Sequence, residues 1–151
     1  MKVIIRVETI ADRGETDVIE ICQFERPIGE LSPETVGLSL ADCKELLHKL
    51  QQVVIGAQSQ EICTFRRFRT RCGRRLFLKD YRKQKVDTVC GTVAFRSARI
   101  VSCPCEPSCY LEVEYSPMSS YIPERATREL LALQAELSAC IALPSGCRNA
   151  A

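Results

Sequence analysis

The sequence predicts an α+β fold: an N-terminal β-hairpin and helix, a zinc-ribbon-like β module, and a C-terminal helix. Three observations predict it. Apolar residues alternate over residues 2–9, the period of a half-buried strand. Two later segments, Leu46 to Ala57 and Leu130 to Ile141, carry apolar residues at helical spacing. Between them, the stretch Arg66 to Cys109 is rich in strand formers, opens on a run of arginines around Cys72-Gly73, and closes on Cys103-Pro104-Cys105. A chain of 151 residues suffices for one modest domain or two small ones. The expected units are residues 1–60 (hairpin plus amphipathic helix), 61–116 (ribbon-like basic module), 117–143 (helix) and 144–151 (irregular tail).

Each element has a local reason. Val3, Ile5 and Val7 mark the first strand, Asp12-Arg13-Gly14-Glu15 a turn, and Asp17 to Phe24 the returning strand. Arg26-Pro27-Ile28-Gly29 ends the hairpin, and Pro33 and Gly37 lie in a connecting loop. Ser39 caps the first helix, with Asp42 completing a short capping box. Leu46, Leu47, Leu50, Val53, Val54 and Ala57 fall on one face, and Gly56 weakens the last turn, so the helix is expected to end at Gln58 to Gln60. His48 lies off that stripe and is expected to face solvent rather than a metal. Leu76-Phe77-Leu78 is a short apolar run. Val86–Val89 and Thr92–Val101 read as strands joined at Cys90-Gly91, with Val93, Phe95, Ser97, Arg99 and Val101 on one face. Leu111, Val113 and Tyr115 suggest a further strand. Pro123 fits a first helical position and Glu124 the positive helix end; Leu130, Leu133, Leu137 and Ile141 form the stripe, and Pro144-Ser145-Gly146 stops it. The two helical stripes are expected to pack within the chain.

The formal net charge of +2 conceals an uneven distribution. Residues 1–62 hold six Lys/Arg against eleven Asp/Glu, residues 63–85 hold ten against Asp80 alone, and residues 86–151 hold five against seven. A local excess of this kind is the electrostatic footprint expected for phosphate, the ordinary alternative being a solvated charged face. The candidate nucleic-acid contacts are Arg66, Arg67, Arg69, Arg71, Arg74, Arg75, Lys79, Arg82, Lys83 and Lys85. Phe65 and Phe68 lie among them; burial in the ribbon is expected over stacking on a base.

Ten cysteines are many for this length. Arg6 and Glu8 interrupt any apolar leader, and no segment reaches a membrane-spanning length, so a cytoplasmic, nucleoid-associated location without membrane contact is expected. In a reducing compartment clustered cysteines point to zinc rather than to disulfides. The candidate ligands are Cys72, Cys103, Cys105 and Cys109, with Cys63 as the alternative to Cys109. The usual knuckle partner of Cys72 would lie three residues earlier, where the chain has Arg69, so the expected zinc site is incomplete. Cys22, Cys43, Cys90, Cys140 and Cys147 have no close partner and read as incidental or buried thiols.

Two blocks carry a resemblance. One is Thr70-Arg71-Cys72-Gly73-Arg74-Arg75-Leu76. The other runs from Lys85-Val86-Asp87-Thr88-Val89-Cys90-Gly91-Thr92-Val93 through Ala94-Phe95-Arg96-Ser97-Ala98-Arg99 to Cys103-Pro104-Cys105. Gln23-Phe24-Glu25-Arg26-Pro27 and Ile122-Pro123-Glu124-Arg125-Ala126-Thr127 flank them. Over residues 1–139 the chain resembles the N-terminal part of insertion-sequence transposases of the Kra family, which have a DDE-type, RNase H-like core. The resemblance implies a DNA-binding portion that engages transposon ends. The Mg²⁺-dependent catalytic core of such proteins lies further downstream, so no catalytic residue and no enzyme activity is expected here. The family pattern has Cys at position 69. From Cys140 the chain departs from the resemblance, as an out-of-frame ending would. The alternatives are a helix-mediated protein-interaction or self-association module and a non-functional remnant of a mobile element.

Overall fold

The computed structural model of the chain describes residues 1–30, 32, 36–68, 72–102, 105 and 114–142. The fold is α+β, with two antiparallel sheets and two helices. Strands β1 (Lys2–Ile10) and β2 (Thr16–Glu25) pair as the alternation predicts, around a turn closed by Gly14 N–H donating to the Ala11 carbonyl at 2.8 Å. Pairing slips once: Ile5 lies opposite Cys22 but Arg6 opposite Glu20, leaving Ile21 as an extra residue. Such a bulge breaks strict alternation, and the neighbours Ile21 and Cys22 are both buried.

Helix α1 (Leu40–Arg66) begins at the expected capping box. Asp42 N–H donates to Ser39 Oγ at 3.1 Å, and Ser39 N–H donates to Asp42 Oδ2 at 2.9 Å. Arg26 Nη2 donates to the same carboxylate oxygen at 2.7 Å, tying the end of the hairpin to the helix start. Replacing Ser39 by alanine is expected to cost about 1 kcal/mol, lowering the melting temperature followed by circular dichroism by about 2–4 °C.

The helix does not stop at Gln58–Gln60. It continues to Arg66, so the expected boundary at 60/61 falls inside it. Its buried residues are Ile55, Ser59 and Cys63, four apart, facing β4. The expected stripe fares unevenly: Leu46, Leu50, Val53 and Ala57 are half-buried, whereas Leu47 and Val54 are exposed. Glycine inside a helix costs about 1 kcal/mol. Full burial of Ile55 alone is worth about 1.5–3 kcal/mol, so tertiary packing outweighs the stop signal at Gly56.

The second sheet has the order β3-β4-β5: β3 (Leu78–Thr88), β4 (Gly91–Val101) and β5 (Glu114–Tyr115). Leu111 and Val113 lie outside the described residues. The β3–β4 turn falls at Cys90-Gly91 as predicted. Cys90 N–H donates to Thr88 Oγ1 at 3.1 Å, and that hydroxyl donates to the Gly91 carbonyl at 2.8 Å. Gly91 has φ +105, a region glycine occupies without strain. His48 does not face solvent. It is half-buried, and its Nδ1 donates to the Cys90 carbonyl at 3.1 Å, fastening the turn to α1.

One core cluster joins Ile55, Val86, Val93, Phe95 and Met118, the last carried in by a 3₁₀ turn at Pro117–Ser120. Ser59 Oγ donates to the Arg96 carbonyl at 3.0 Å, so the helix also satisfies a backbone group of β4. A second cluster joins Leu76 and Ile100, with Cys72 and Tyr115 packed against it. Between the two clusters β3 carries its own bulge: Leu78 lies opposite Ile100 and Asp80 opposite Arg99, leaving Lys79 as the extra residue.

Helix α2 spans Arg128–Ala142 rather than starting at Pro123. Residues 125–127 instead line the free edge of β3. Asp87 N–H donates to the Arg125 carbonyl at 2.8 Å, and Thr127 N–H donates to the Asp87 carbonyl at 2.9 Å. The edge hydrogen bonds hold this segment against β3, with Arg125 left-handed at φ +55, and delay the helix. Along α2, Leu130 is half-buried, but Leu133, Leu137 and Ile141 are exposed, so among the described residues the expected packing is formed at Leu130 and not by the rest of the stripe. The tail from residue 144 lies outside the described residues. Among the described residues no helix is long and apolar enough to cross a membrane.

Candidate nucleic-acid interface

The ten candidate basic residues do not share one surface. Arg66 ends α1, exposed, with its guanidinium 5.7 Å from the Tyr121 ring centroid. Arg67 is half-buried and works on the backbone: its carbonyl accepts from Leu76 N–H at 2.7 Å, and its Nε donates to the Leu76 carbonyl at 3.5 Å. Arg69 and Arg71 lie outside the described residues. Arg74 and Arg75 are exposed on the loop that Phe68 and Arg75 close as a β-bridge. Lys79 is exposed at the bulge. Arg82, Lys83 and Lys85 are exposed on β3, but alternation divides them. Arg82 lies opposite Ser97, on the side packed by α1, whereas Lys83 and Lys85 project from the other side.

That other side also holds residues outside the predicted set. Arg96 lies directly opposite Lys83, and Tyr81 opposite Ala98. The Arg96 guanidinium sits 5.1 Å from the Tyr81 ring centroid. Arg96 went unnoticed because it lies beyond the Cys90-Gly91 turn, outside the dense basic run. The alternating pattern of β4, read in register with β3, is the signal that would have found it.

Phe65 and Phe68 are not buried in a ribbon; they are 74% and 61% exposed. Both line an open cleft of about 1390 Å³ between α1 and the far end of the β1–β2 hairpin. Asp12 N–H donates to Glu61 Oε1 at 2.9 Å across it. Its lining holds five carboxylates, Asp12, Glu15, Asp17, Glu20 and Glu61, against Arg13 and Lys49. That excess of carboxylates disfavours a phosphate backbone in the cleft.

The described residues do not assemble a zinc site. Cys72 is half-buried beside Leu76 and Ile100, Cys105 is exposed, and Cys103 and Cys109 lie outside the described residues. Cys63, the alternative ligand, is buried between α1 and β4, and burial pushes its thiol pKa up, against the thiolate that zinc needs. No group of three or more His, Cys, Asp or Glu side chains that could hold a metal occurs among the described residues.

Two carboxylates are tuned by their partners. Hydrogen bonds from Arg99, with Nε donating to Asp80 Oδ1 at 2.7 Å and Nη2 to Oδ2, hold the Asp80 carboxyl below the usual range. The Ser39 backbone N–H, then the Ser39 hydroxyl and Arg26, do the same for Asp42. A depressed folded pKa contributes stability above the unfolded value, about 3.9, and loses it as pH falls through the folded value. The melting temperature is therefore expected to hold from pH 7 to pH 5 and to fall below about pH 4, less steeply in Asp80→Asn. A thermal-melt series across that range checks it.

No family model, no curated protein and no solved structure matches this chain.

Proposed function

We propose that the chain binds DNA and is the end-binding N-terminal portion of an insertion-sequence transposase, without chemistry of its own. The observation that carries this reading is the exposure of the basic segment. Arg66, Arg74, Arg75, Arg82, Lys83 and Lys85 are all exposed, and none pairs with a carboxylate among the described residues. Exposed cations without a salt-bridge partner suit an external polyanion. The resemblance to Kra-family transposases supplies the kind of DNA, transposon ends. Zinc would enter this reading only through Cys72 and Cys105 together with Cys103 and Cys109.

Each phosphate contact contributes about −0.7 to −0.9 to the slope of log affinity against log salt. With about half of the ten basic residues engaged at once, the expected slope is about −4 by fluorescence anisotropy. A slope near zero, or no binding at about 50 mM salt, would rule the reading out.

A second reading has its own observation. The exposed Leu133, Leu137 and Ile141 on α2 are suited to association with another helix. Sedimentation at increasing concentration separates the two: self-association with no affinity for DNA favours the interaction module.

A further inference from the structure

We infer that the open side of the β3–β4 hairpin binds single-stranded DNA, a base stacking on the Tyr81–Arg96 pair while Lys83, Lys85 and Arg96 hold the neighbouring phosphates. This rests on the DNA-binding reading above and narrows it. The register sets the surface. Tyr81 lies opposite Ala98, Lys83 opposite Arg96 and Lys85 opposite Ala94, so all six residues stand on one side of the two strands. The opposite side carries Val86, Val93 and Phe95, packed against Ile55 and Met118, and the buried Ser97, hydrogen-bonded to Ser116. Residues two apart along a strand are about 6.6–6.8 Å apart, so ring and cations form a short ladder.

Charge argues for a polyanionic occupant. Like charges directly opposite each other in a sheet are destabilising, yet Lys83 faces Arg96 with Lys85 one row on. Among the described residues no carboxylate pairs with any of the three. Asp87, on the next row, is engaged by the Thr92 hydroxyl at 2.6 Å. A phosphate backbone relieves the repulsion.

The aromatic ring argues for bases as well as phosphates. Tyr81 is 47% exposed with a guanidinium over its ring, a pairing on which unstacked bases lie well. Ala94, opposite Lys85, is half-buried and leaves the cations clear of bulk on that row, whereas Ala98, opposite Tyr81, is buried. In a duplex the base faces are already occupied by stacking. The major groove, about 12 Å wide, admits a two-stranded ribbon, but this hairpin is backed by α1 and cannot enter it as a ribbon.

The chain has no tryptophan, so Tyr81→Trp places a single reporter at the stacking position. The probes are a 12-nucleotide oligothymidylate, a 12-base-pair duplex and inorganic polyphosphate. Oligothymidylate is expected to quench the introduced tryptophan in step with binding followed by anisotropy; duplex and polyphosphate are expected to leave it bright. Tyr81→Ala is expected to weaken oligothymidylate binding about tenfold while duplex affinity changes less than about twofold, and Tyr81→Phe to bind as the parent does. Oligothymidylate binding without quenching overturns the inference and leaves the DNA-binding reading intact. So does duplex binding as tight as that of the single strand. Absence of binding to either DNA at low salt overturns both. Should Tyr81→Ala fail to fold, the quenching of Tyr81→Trp decides alone.

Discussion

Phe95→Ala is expected to lower the free energy of unfolding by about 3–5 kcal/mol, read as an earlier midpoint in urea with an unchanged slope. Phe95 is 7% exposed and belongs to the cluster of Ile55, Val86, Val93 and Met118, where α1, both long strands and the Pro117–Ser120 turn converge. Removing the ring leaves a cavity that no single neighbour can fill, because each is anchored on a different element. Total stabilities run to about 5–15 kcal/mol, so the variant loses a large share of the margin. Phe77→Ala is the matched control: Phe77 is 70% exposed, and its loss is expected to change stability by less than about 0.5 kcal/mol. Equal effects from the two would show that α1 does not close over the sheet.

The largest functional effect is expected from removing charge without touching the core. Arg74→Gln, Arg75→Gln, Lys83→Gln and Lys85→Gln together neutralise four exposed cations. Each lost contact removes about 0.7–0.9 from the salt slope, so the combined variant should bind DNA roughly a thousandfold more weakly at about 0.1 M salt, its slope reduced by about 3. Its melting temperature should stay within a few degrees of the parent, since none of the four is buried. Lys2→Gln with Arg13→Gln removes two cations from the β1–β2 hairpin and should leave the slope unchanged. An unchanged slope in the fourfold variant would move the interface elsewhere.

What could be read from the sequence was local. The turn at Asp12–Glu15, the Cys90-Gly91 turn and the Ser39–Asp42 capping box each depend on residues within four positions of one another, and all three form. What could not be read depends on distant partners. Gly56 is a fair stop signal, but Ser59 and Cys63 beyond it have β4 to pack on. Pro123 is a fair start signal, but Arg125 to Thr127 are held by the edge of β3. The density of arginines drew attention to residues 66–85. It hid Arg96, which only the pairing register brings beside Lys83, and it did not show that Arg67 serves the backbone. Cysteine spacing suggested ligands, whereas Cys63 packs as a small apolar side chain.

The bulge at Lys79 sets the phase of the whole of β3. Leu78 meets Ile100 on one side of the sheet, and one extra residue later Tyr81, Lys83 and Lys85 stand on that same side while Val86 turns into the core. Were the same residues paired one for one without that slip, Leu78 could stay opposite Ile100 only if the lysines turned onto Val93 and Phe95 and Val86 turned into water. Deleting Lys79, by contrast, would leave an unbroken ladder in which Leu78, Tyr81, Lys83 and Lys85 all keep their side. The slip is thus a place where the strand can lose one residue without turning its charges onto the core.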